Sequence, residues 1–193
     1  MPDEARDAVL REAPLVDWCI SIVSRPRVVY WAVWTLGHLA AGRTTGTIVV
    51  GTMITAGLLP TIVAHASNGT DVNVRGVALW CISAIAACDS SDEYIGRLMS
   101  VGALDAVIKA VRCNDVDSVL CALRTLKAFL ASPIHGAGTR GRVCHATRTT
   151  LEELERTHPN EDIRECAKVV LARLACWQAR LVDAAIPCHP VVA

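Results

Sequence analysis

The residues best able to do chemistry in this chain are its cysteines, its histidines and one glycine-rich string. Gly136-x-Gly138-x-x-Gly141 matches the pattern that cradles a pyrophosphate where a strand turns into a helix. No strand precedes it here, because Leu126–Ala131 carries the end of a helical apolar face. With Pro133, His135, Arg140 and Arg142 around it, 132–142 reads as a flexible loop between helices. Substituting Arg140 in such a loop should cost little. Cys144-His145 and Cys188-His189 are adjacent pairs of metal-ligand types, but a zinc site needs four ligands brought together, and these pairs lie far apart in the chain. None of the nine cysteines forms a C-x-x-C pair, and most sit beside apolar residues. That pattern fits reduced, buried thiols in the cytoplasm or nucleus. No Ser-His-Asp set, phosphate loop or carboxylate pair stands out, so the expectation is no catalysis, no metal and no cofactor. Asn68-Gly69-Thr70 matches a glycosylation sequon. Met1–Arg11 lacks the apolar segment of a secretory signal, so the sequon is expected to be a chance match.

Recognition chemistry is better represented. The chain is poor in aromatics at 4%, yet five of these residues are Trp. Scarce Phe and Tyr leave Ala, Val and Leu to fill the interior, which suits helix packed on helix. Lys plus Arg equals Asp plus Glu at 19 each, and the formal net charge is zero. A nucleic-acid binder usually carries a basic excess. No charged residue occurs from Thr44 to Thr70. The length of that run admits a membrane-associated helical protein as the alternative reading. Gly46, Gly51, Gly57, Pro60 and His65 interrupt it.

The elements that would position these side chains are legible as a repeat. Ala32/Leu36/Leu39, Ala78/Ile82/Ile85, Ala122/Leu126/Phe129 and Ala167/Leu171/Leu174 share the spacing i, i+4, i+7, one face of a helix. The alanines lie 46, 44 and 45 residues apart. Four residues upstream stand Val28, Val74, Ser118 and Ile163, and Arg75 and Arg164 follow two of them. Polar turns precede these helices at Asn68–Asp71, Asn114-Asp115 and Pro159–Asp162, where short polar side chains can cap free backbone N–H groups. The spacing predicts long helices over 26–41, 71–87, 115–131 and 160–177. Middle helices are expected over 14–23, 58–66, 104–112 and 149–157. Gly57 and Gly102, 45 residues apart, are placed to end short first helices in the left-handed conformation. Ser90-x-x-Glu93 offers a capping box to one of these. The expected architecture is all-α: a single domain over 1–193, with units at about 13–42, 46–88, 91–131 and 143–177 and a tail at 184–193.

This organisation resembles the armadillo repeat family, with HEAT repeats as the alternative. The resemblance rests on the turn glycines, the Val74-Arg75-x-x-Ala78 pattern and the Ala-x-x-x-Leu/Ile core, and runs roughly from Ala13 to Ala175. It implies a right-handed solenoid of three to four repeats, whose third helices line a concave groove for an extended peptide or another protein. The chain is also similar to the importin-alpha branch, where a Trp row makes slots for ligand side chains and an Asn row holds the ligand backbone. The matching Trp positions are Trp34, Trp80, Arg124 and Val169; the Asn positions are His38, Ala84, Ala128 and Arg173. Two Trp match and no Asn does. Arg124, Lys127 and Arg173 put positive charge toward the C-terminal half, as in a beta-catenin-like groove, which would favour an acidic ligand. The resemblance therefore implies an adaptor or scaffold whose contact residues are Trp34, His38, Trp80, Arg124, Lys127 and Arg173. The competing reading makes the tryptophans inter-repeat packing, His38 structural, and Arg124 and Lys127 a solvated face.

Overall fold

In the computed structural model, the described residues are 15–25, 27–42, 46–88, 91–143 and 145–184, with side chains described as far as Ala175. Among them are eleven helices and no strands. They are α1 (Leu15–Ile22), α2 (Val29–Ala40), α3 (Gly46–Thr55), α4 (Leu59–Asn68), α5 (Val72–Ala86), α6 (Ser91–Ser100), α7 (Ala103–Ala110), α8 (Val116–Ala131), α9 (Gly136–Arg142), α10 (His145–Thr157) and α11 (Glu161–Ala184). The long helices α2, α5, α8 and α11 fall where the apolar spacing puts them, and each packs on the next. Ala32, Ala78, Ala122 and Ala167 are all buried at these crossings, with Leu36, Ile82 and Leu126 beside them. Alanine at that register lets neighbouring helices approach closely, and the larger aliphatics seal the interior.

Local chemistry sets the boundaries. Gly57 and Gly102 take φ of +69° and +86°, a region glycine enters without steric cost. The Asp71 side chain accepts from Asn73 N at 2.8 Å, Asp115 from Ser118 N at 2.8 Å, and Asn160 from Ile163 N at 3.2 Å. Each thus satisfies a free N–H at the start of a long helix. The arginines of the repeat pattern have matching roles. Arg75 donates to Gly69 O at 3.3 Å and Arg164 to His158 O at 2.8 Å, six residues upstream in both cases. Each ties its helix to the turn that precedes it. The capping box expected at Ser90 lies outside the described residues, as do Cys144 and the tail from 185 on.

The expected loop over 132–142 is corrected: it contains a helix. α9 begins at Gly136, and the first helices of the three full units start at 46, 91 and 136, each 45 residues after the last. Glycine is a poor helix former, so local propensity reads this stretch as coil. Tertiary contacts outweigh that preference. Gly136 is buried, and a Cβ there would lie 2.7 Å from Leu130 O; at the equivalent Gly46 it would lie 2.3 Å from Ala40 O. Ser132 Oγ donates to Asp92 and accepts from His135 N at 3.0 Å, while Arg140 Nη1 donates to Leu130 O at 3.4 Å. Thr139 is fully buried.

From Gly46 on, the uncharged run forms α3 and α4, which are bent by 91° across the turn that holds Gly57. Val49, Val50, Met53, Leu59, Ile62 and Val63 from this pair are buried in the protein core. Among the described residues no single helix is long and apolar enough to cross a membrane.

Candidate binding groove

The long helices position the candidate residues by register. Residues two after the core alanine and five before it lie on the side of the helix away from the core. On α2, α5 and α8 these rows supply Trp34, Trp80 and Arg124, then Asn73 and Asp117. All five line one open depression of about 470 Å³ that spans the three helices. Tyr30 and His38 complete its α2 side, and Gly76, Val77, Leu120 and Cys121 form its floor. Four of the six anticipated contact residues are therefore brought together: Trp34, His38, Trp80 and Arg124. Lys127 and Arg173 are exposed on α8 and α11 and do not line it, and neither does Val169.

The aromatic side of the depression is a connected ladder. Trp31 and Trp34 have ring centroids 6.2 Å apart, Trp34 and His38 4.0 Å, and His38 and Trp80 4.4 Å. His38 thus stands between the tryptophans of two successive repeats. Trp80 is half-buried, and the six-membered ring of its indole sits against Gly37 of α2. A Cβ on Gly37 would be 2.3 Å from Trp80 Cζ3, so only glycine admits this contact. Trp80 thus packs against Gly37 of the neighbouring repeat and also lines the depression. Trp34 is 40% exposed. Trp31 is 62% exposed, whereas Val77 and Cys121 at the same register of the next repeats are buried, because α2 begins the described stack of long helices.

The far side of the depression is charged with both signs. Arg124 and Asp117 are exposed on α8, two turns apart, and among the described residues neither makes a hydrogen bond or ion pair. Asp115 is partly committed to capping α8. Cys121 lies between them in the floor. Burial pushes its thiol up to about 11, with Arg124 opposing and Asp117 and Asp115 adding to the rise. Burial also pushes Cys81 up to about 12 and raises Cys19, so these thiols stay protonated and unreactive near neutral pH. The acidic residues were missed as groove residues because Asp115 reads fully as a helix cap. Asp117 could have been found by aligning it with Asn73 in the repeat register.

No family model matches the chain, and no curated protein matches it. Solved structures do. A designed armadillo repeat protein in complex with the peptide (KR)4 superposes with a TM-score of 0.74 over 89% of this chain and 69% of that one, at 20% sequence identity. The fold is that of an armadillo repeat solenoid. Computationally designed armadillo repeat proteins for modular peptide recognition match to the same extent, with a TM-score of 0.74, 20% identity and the same coverage. An engineered protein of greater length matches with a TM-score of 0.76 at 22% identity, over 95% of this chain and 44% of that one.

Proposed function

We propose that this armadillo solenoid is a protein-interaction scaffold, not an enzyme, that holds an extended segment of a partner across α2, α5 and α8. One observation carries the reading: a single open depression lined by exposed aromatics and charge from three successive repeats. Armadillo neighbours include proteins designed for modular peptide recognition, and one is solved with a peptide bound. Tryptophan edges supply large contact area at low entropic cost, and Arg124 can take a carboxylate by two parallel hydrogen bonds. The ligand backbone has no Asn row to hold it here, since Ala84 and Ala128 stand at two of those positions, so side-chain contacts dominate. Buried, protonated thiols favour work in a reducing compartment, the cytoplasm or nucleus. Val49, Val50, Met53, Leu59, Ile62 and Val63 of α3 and α4 already have protein neighbours, which favours a protein partner over a lipid one.

The test is selection from a displayed library of random linear peptides, followed by titration of the enriched sequences. Trp80→Ala is expected to weaken binding at least tenfold with helicity unchanged. Arg124→Glu is expected to weaken the peptides that carry an acid. Enriched peptides indifferent to both variants would overturn the groove assignment.

A further inference from the structure

The charges visible in the sequence, Arg124, Lys127 and Arg173, describe a groove aromatic at one end and basic at the other, suited to an acidic segment. The structure changes that balance. Lys127 and Arg173 stand outside the depression, whereas Asp117 lines it on the same helix as Arg124, with Asp115 next to it but tied to the Ser118 N–H. Asp117 is seven residues before Arg124 on α8, so the two share one helix face. At about 1.5 Å of rise per residue they are separated by about 10 Å along that face. Both are exposed, and among the described residues neither is neutralised by a hydrogen bond or ion pair.

A chain lying along the depression crosses α2, α5 and α8 in turn. Where it crosses α8, Asp117 stands on one side of it and Arg124 on the other. Successive side chains of an extended segment point to opposite sides. We infer that the groove selects a partner segment carrying a basic and an acidic residue side by side, the base directed to Asp117 and the acid to Arg124, a few residues from an aromatic or aliphatic anchor seated on Trp34 and Trp80. A diacidic pair meets Asp117 with like charge, and a dibasic pair meets Arg124 with like charge. Rejection of both follows from the same two residues that attract the mixed pair. This inference rests on the groove reading above and specifies the chemistry of its ligand.

The test uses the whole protein and four synthetic peptides, identical except at one dipeptide. Each has a tryptophan anchor, a two-residue spacer, and then lysine–glutamate, glutamate–lysine, lysine–lysine or glutamate–glutamate. Affinities are read by fluorescence anisotropy of a labelled terminus at low salt. At least one mixed-pair peptide is expected to bind ten-fold or more tighter than either like-charged peptide, and added salt should shrink that gap. Asp117→Lys should turn the preference to the diacidic peptide, and Arg124→Glu to the dibasic one. A carboxylate serving only the dipole of α8 would instead lower the melting temperature of Asp117→Lys without changing which peptide binds best. If Trp80→Ala abolishes binding of all four peptides but the wild type does not discriminate among them, the charge pairing is overturned and the groove stands. If Trp80→Ala leaves every affinity unchanged, the groove reading fails with it.

Discussion

At the scale of single residues, Gly37 and His38 decide what the aromatic side of the groove can do. The resemblance to the importin-alpha branch implies a slot between the indoles of successive repeats. His38, from within the same molecule, stands between the two indoles, with its ring 4.0 Å from Trp34 and 4.4 Å from Trp80, and all three rings line the groove. Gly37 lets Trp80 lie down far enough to reach His38. A methyl group added at Gly37 would lie 2.3 Å from the nearest ring atom, so the indole would have to leave its seat on α2 and lose its packing there. Gly37→Ala is therefore expected to destabilise the protein by about 1–3 kcal/mol despite alanine's better helix propensity. Its tryptophan emission should also shift. Thermal or urea unfolding with fluorescence detection checks both. A variant as stable as the parent, with unchanged emission, would mean that the indole is not seated there.

At the scale of elements, the long helices carry the stability and the short first helices follow them. Leu126 is fully buried at the centre of α8, between α5 and α11. Leu126→Ala should leave a cavity and cost about 2–5 kcal/mol. Arg140 lies on α9, and its bond to Leu130 O helps hold that glycine-rich helix against the end of α8. Arg140→Ala is therefore expected to cost about 1 kcal/mol, the worth of one net hydrogen bond, rather than the negligible amount suited to a loop. Chemical denaturation of the two variants measures the difference. An Arg140→Ala midpoint indistinguishable from the parent would favour a loosely held α9.

At the scale of the whole molecule, each unit of a solenoid touches mainly its neighbours. A defect therefore spreads by adjacency rather than through a single global core. Hydrogen exchange read by mass spectrometry on Leu126→Ala should rise in α8, α5 and α11 before it rises in α2. A uniform rise over all helices would show one cooperative unit instead. What the sequence alone determined is the local part: helix class, the period of about 45 residues, the caps at Asp71, Asp115 and Asn160, and the turns at Gly57 and Gly102. Each depends on side chains within a few residues of one another, so its cause lies within a short window of chain. The tertiary structure decided the rest. α9 is a helix because Thr139 is buried against Met99 of α6 and Arg142 pairs with Asp105 of α7, against the preference of its own glycines. His38 wedges between tryptophans because α2 and α5 come together at Gly37. Asp117 joins Arg124 in the groove, while Lys127 and Arg173 do not line it, because the way α2, α5 and α8 stack determines which exposed rows converge. Periodicity sorts residues onto the faces of one helix, but only the packing of several helices brings those faces together into a site.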